Sequence, residues 1–66
     1  MPLITFESGK LPDEVKAELI RRLTDTAAEV TGIPKSTFFL TLREQPDENV
    51  AIGGKTVREI KAELGR

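Results

Sequence analysis

Across its 66 residues the chain has no cysteine and no histidine. Those two absences exclude disulfide staples, thiolate zinc sites, imidazole bases and Cys or Ser–His nucleophile chemistry. An excess of charge of either sign is missing too. Ten Lys and Arg against eleven Asp and Glu leave a net charge of −1, without the basic excess that nucleic acid or a polybasic membrane surface requires. No apolar run approaches the roughly 18 residues that span a bilayer, and the N-terminus has no basic region followed by an apolar one. The expectation is a cytoplasmic protein with neither nucleic-acid nor membrane partners. A chain this short buries only about 60% of its unfolded surface. With no disulfide or thiolate metal site, oligomerisation is the staple left to it.

What is present reads as one α/β domain spanning residues 1–66. Leu3-Ile4-Thr5-Phe6 is β-branched and aromatic, closes on Ser8-Gly9, and reads as a strand. Pro12 followed by Asp13 and Glu14 is a helix entry, where a missing N–H is harmless and acidic charge suits the dipole. At 100° per residue, Val15, Leu19, Ile20, Leu23, Ala27 and Val30 fall within an arc of about 140°, with Glu18, Arg21, Asp25 and Glu29 opposite. Lys16 lies inside the apolar arc, where its stem can cover apolar surface while its ammonium reaches water. Gly32 and Pro34 end the helix, which is predicted over residues 12–31.

Residues 37–43 alternate Phe38, Leu40 and Leu42 against Phe39, Thr41 and Arg43, and read as a second strand. Strand, crossover helix and strand form a βαβ unit with parallel strands. Residues 44–49 are polar and read as a loop, Val50-Ala51-Ile52 is a short apolar segment, and Gly53-Gly54 is a turn. A final short helix begins with a capping box, Thr56 and Glu59, and carries the stripe Val57, Ile60, Leu64.

Gly54-Lys55-Thr56 resembles the end of a phosphate-binding loop, but Asn49 stands where that motif needs glycine. Glu44, Asp47 and Glu48 lie together in the polar stretch and read as solvated acids rather than a metal site, and Arg21-Arg22 as a solvated helix rim. Met1-Pro2 carries more chemistry. A small second residue lets methionine aminopeptidase expose it, and Pro2 then has a free secondary amine. An α-amine titrates near 7.7–8.0 unperturbed, and desolvation or a neighbouring cation lowers it into the range of a general base at neutral pH.

Met-Pro-Leu-Ile at the start, Gly9 after the strand, Asp13-Glu14 through Leu19-Ile20-Arg21, Gly32-Ile33-Pro34, and residues 46–54 ending in Ile52-Gly53-Gly54 together resemble the 4-oxalocrotonate tautomerase family. That resemblance covers nearly the whole chain. It implies a βαβ protomer with a short C-terminal hairpin and helix, dimerising into a four-stranded sheet backed by two helices, with three dimers forming a hexamer. It also implies a cofactor-independent keto–enol tautomerase of a small 2-hydroxydienoate or enol-pyruvate acid, with Pro2 as base and no metal.

The family's arginines, which hold the substrate carboxylate and developing charge, correspond here to Lys10 and Phe39. Lysine keeps the charge but loses the bidentate fork, and Phe39 supplies none. The strand leading to Lys10 is also about two residues shorter than the family's. Arg43 shares the Phe39 face but lies four residues on, about 13 Å, so it can serve only from another geometry or across an interface. Val50 replaces the family's aromatic and, with Ile52, leaves a smaller apolar wall. Two other roles stay open: a non-catalytic partner subunit of a hetero-oligomer, and a hydratase, dehalogenase or decarboxylase using the same proline.

Overall fold

The extended stretch at the N-terminus runs further than its apolar residues. In the computed structural model, which describes residues 1–65, β1 is Leu3–Ser8 and β2 is Phe39–Glu44. The two pair in parallel with Leu3 opposite Phe39, Glu7 opposite Arg43 and Ser8 opposite Glu44. Strand alternation puts Ile4, Phe6, Ser8, Leu40 and Leu42 on one face, half-buried, while Leu3, Thr5, Glu7, Phe39, Thr41 and Arg43 stand exposed on the other.

Between the strands, α1 covers Asp13–Thr31. Pro12 is its cap rather than its first turn: the Val15 and Lys16 N–H groups both donate to the Pro12 carbonyl, at 3.1 and 3.0 Å. Gly32 takes a left-handed φ of 75°, which a β-carbon would strain, and its N–H donates to Ala28 O at 2.9 Å. The second strand starts at Phe39, two residues later than the alternation predicts. Residues Lys35–Thr37 instead form a 3-10 turn, in which the Thr37 N–H and hydroxyl both donate to Pro34 O. Glu44, expected in the following loop, closes β2.

A second 3-10 turn, Asp47–Asn49, leads to the hairpin of β3 (Ala51–Ile52) and β4 (Lys55–Thr56). Gly53 and Gly54 make its turn at φ 60° and 85°, a backbone only glycine adopts freely. Val57–Leu64 is α2, whose capping box is complete: the Glu59 N–H donates to Thr56 Oγ1 at 3.1 Å and the Thr56 N–H to Glu59 Oε1 at 2.8 Å.

Among the described residues none is buried, although the expected stripes are in place. In α1, Leu19, Leu23 and Ala27 are half-buried, but Val15, Ile20 and Val30 are exposed, as is Leu64 at the end of α2. Two strands are too narrow to cover a helix whose apolar arc spans about 140°. The radius of gyration is 15.6 Å, against about 11 Å for a self-contained globule of this length. No helix among the described residues is long and apolar enough to cross a membrane.

Candidate active site

Parallel pairing separates the sequence-predicted site residues into two groups. At the start of β1, Pro2 is half-exposed behind a Met1 that is 90% exposed, and its carbonyl accepts the Phe39 N–H at 2.9 Å. Phe39 is thus tied by its backbone beside Pro2. At the far end, beyond Ser8, Gly9 leads into Lys10, with Arg43 opposite Glu7 and on the open sheet face. At about 3.3 Å per residue, β1 alone holds Pro2 and Lys10 roughly 20 Å apart. A single chain does not bring them together.

The far end of β1 borders a cavity that neither Lys10 nor Arg43 lines. Its volume is about 580 Å³, and it is lined by Glu7, Ser8 and Gly9 of the first strand and its exit, by Gln45, Asp47, Asn49 and Val50, and by Val57 and Lys61 of α2. Val50, expected from the sequence as an apolar wall of the site, is one of these lining residues. Ile52 does not join them: it is 70% exposed on the hairpin. The sequence reading missed Gln45, Val57 and Lys61, although Lys61 follows Val57 by one helical turn and shares its face.

The acids around this cavity are engaged rather than simply solvated. Asp47 pairs with Lys61 at 3.0 Å and Glu48 with Arg58 at 2.7 Å, holding the turn against α2. Glu44 Oε2 accepts the Leu11 N–H at 2.8 Å and lies 3.4 Å from Lys16 Nζ. The Leu11 N–H, then Lys16 and the nearby charge of Lys10, hold the Glu44 carboxyl below the usual glutamate range against the opposing effect of burial. Lys16 thus sends its ammonium to Glu44 and Asp13, 3.6 Å away, and not only to water.

The helix rim is paired too: Arg21 and Arg22 both bridge to Glu18. The Arg21 hydrogen bond leads the effects that lower the Glu18 carboxyl. Among the described residues, Lys10 and Arg43 alone of the lysines and arginines have no carboxylate within 4.0 Å. No cluster of three or more His, Cys, Asp or Glu that could hold a metal occurs among them.

A family model described as tautomerase enzyme matches residues 2–60. The chain belongs to the tautomerase family. Within its superfamily, solved structures align it with the 4-oxalocrotonate tautomerases. DmpI of Archaeoglobus fulgidus is 37% identical, with a TM-score of 0.80 over 86% of this chain and 98% of its own. TomN, a 4-oxalocrotonate tautomerase homologue of the tomaymycin biosynthetic pathway, is 36% identical, with a TM-score of 0.82 over 92% and 95%. A heterohexamer 4-oxalocrotonate tautomerase of Chloroflexus aurantiacus is 30% identical, with a TM-score of 0.85 over 91% and 98%. Among curated proteins no match was found. Shared with these tautomerases is the strand–helix–strand order with its parallel pair, which here carries Pro2 and Lys10 at opposite ends of one strand.

Proposed function

We propose that this chain is a cofactor-independent keto–enol tautomerase of a small enol acid, with Pro2 as its base after Met1 is removed. The Pro2 nitrogen lone pair takes the enol O–H proton and returns a proton to the substrate carbon, converting enol to ketone with no net gain or loss of protons. The small residue that follows Met1 favours its removal, and with no histidine in the chain no side chain has an ordinary pKa near neutrality to compete for that role.

The observation that carries this reading is the distribution of cations. Lys10 and Arg43 are left without an acidic partner where every other described lysine and arginine has one. A guanidinium or ammonium unmatched in its own chain suits a substrate carboxylate and the charge that develops on oxygen. Val50, in the lining of the cavity at the far end of β1, adds apolar surface, which fits a monocarboxylate with an apolar substituent better than a diacid.

Because Pro2 and Lys10 lie at opposite ends of β1, the reading requires a second copy running antiparallel. Its Lys10 end then approaches the Pro2 of the first. A homodimer, or a hexamer of three such dimers, supplies that arrangement, and the open edges of a two-stranded sheet favour it.

The test is turnover of the enol form of phenylpyruvate by Met1-free protein and its Pro2→Ala variant. A loss of about 100-fold or more in kcat, the scale of a general base, is expected. Undiminished turnover in Pro2→Ala, or full turnover by protein whose mass includes Met1, refutes the mechanism. Phe39 in place of a cation motivates the second reading, a subunit that needs a sister chain. Activity appearing only on co-expression with a chain bearing an arginine at that strand position decides for it.

A further inference from the structure

The segment between β1 and α1 has no regular structure, yet it is held on both sides of Lys10. Before it, the Gln45 N–H donates to Ser8 O at 2.8 Å; after it, the Leu11 N–H donates to Glu44 Oε2 at 2.8 Å. Both ties come from consecutive residues at the end of β2, more than thirty positions away. Pro12 fixes its own φ and restricts Leu11 to extended conformations. The backbone on either side of Lys10 is thus tied to the end of β2.

The charge of Lys10 acts on the Glu44 carboxyl, yet the two form no ion pair within 4.0 Å. The oxygen that receives Leu11 is already 3.4 Å from Lys16 Nζ, and Lys16 in turn is 3.6 Å from Asp13. Both members of the Lys16–Glu44 pair are about 30% exposed, so the pair is partly shielded from water. Lys10 feels the Glu44 charge without reaching it.

We propose that Glu44 and Lys16 form a brace that positions the Lys10 loop and keeps the Lys10 ammonium available to an anionic substrate. Glu44 fixes the backbone at Leu11, and Lys16 occupies the carboxylate that would otherwise capture Lys10. Both are positioning residues, and the inference rests on Lys10 being the contact for the substrate carboxylate. It also explains why a lysine stands inside the apolar arc of α1.

The test uses Met1-free full-length protein and the enol form of phenylpyruvate. Lys10→Ala is expected to raise KM about tenfold, the loss of one charge-assisted contact. Glu44→Ala and Lys16→Met are each expected to raise KM about three- to fivefold, the scale of a partly exposed pair, with kcat within about twofold. Glu44→Ala adds nothing further in the Lys10→Ala background, because both act through one ammonium. Glu44→Gln, which keeps an acceptor for Leu11 but carries no charge, restores KM when added to Lys16→Met. Amide exchange at Leu11 is faster in Glu44→Ala than in the wild type, whatever the activity.

If Lys10→Ala raises KM while Glu44→Ala and Lys16→Met do not, the brace is wrong and the function stands. A Glu44→Ala effect that multiplies fully with Lys10→Ala, or a Lys16→Met defect that Glu44→Gln leaves in place, refutes the brace as well. An unchanged KM in Lys10→Ala overturns the underlying assignment instead. Should turnover be absent, the same comparisons are read from the dissociation constant of phenylpyruvate by chemical-shift titration.

Discussion

Truncating Phe39 tests whether the open sheet face is an assembly surface. The exposed area of the chain is 5158 Å², whereas a folded monomer of this mass exposes about 4,200 Å². The excess, roughly 1,000 Å², is close to the ~800 Å² that each partner contributes to a stable interface. Leu3 is 64% and Phe39 55% exposed on the face that α1 does not cover. Fully burying such a side chain is worth about 1.5–3 kcal/mol, so each has roughly 1–2 kcal/mol still to gain on assembly.

If that face is covered by a second copy, Phe39→Ala removes about 1–2 kcal/mol per subunit. Over the two subunits of a dimer this is about 2–4 kcal/mol, or roughly 30- to 1,000-fold in the dissociation constant. Sedimentation velocity over a dilution series, with far-ultraviolet circular dichroism at each concentration, measures both assembly and the folding coupled to it. Wild-type protein should dissociate and lose structure together, and the variant should do so at higher concentration. A wild type that stays a folded monomer with a concentration-independent Tm would refute the reasoning, and so would a variant that assembles unchanged.

The remaining expectations concern the local structure and its response to acid. Thr56→Ala removes the cap hydroxyl from the N-terminus of α2 and should cost about 1 kcal/mol; it should also loosen the Lys61 side of the cavity, read as faster amide exchange in α2 at unchanged β1 protection. Glu18, Glu44 and Glu59 all have lowered carboxyl pKa values, owing first to Arg21, to the Leu11 N–H and to the Thr56 N–H respectively. Because the unfolded chain binds protons more readily at these sites, their stabilisation is fully present above about pH 4.3 and is lost as pH falls through the lower folded values. Chemical denaturation between pH 3 and 8 should show this as a decline confined to the acid end, and Glu44→Gln should remove part of it; an equal decline in that variant would contradict the assignment.

Much of this protein was legible without coordinates, and the legible parts share one property. The Gly32 stop, the Gly53-Gly54 turn and the Thr56–Glu59 box each act within a few residues, where backbone sterics and hydrogen-bond reach are local. The alternation from Phe38 to Arg43 identified a half-buried strand for the same reason, although the Pro34 carbonyl pulled residues 35–37 into a turn and delayed its start. Family resemblance marked Pro2 and Lys10 as a base and a cation. The strand between them sets the two at opposite ends of β1, and the parallel register with β2 adds Phe39 at the Pro2 end and Arg43 at the Lys10 end, so the proposed site needs a second chain. Only the tertiary structure engages Glu44, which read as a loose loop acid, with Leu11 and Lys16 across some thirty residues. Sequence spacing carries no information about such a contact, because its existence depends on where β2 comes to lie beside β1. The missing cysteine and histidine excluded whole chemistries from the outset, but the fold decides which acids are paired and, among the described residues, leaves Lys10 and Arg43 without a carboxylate.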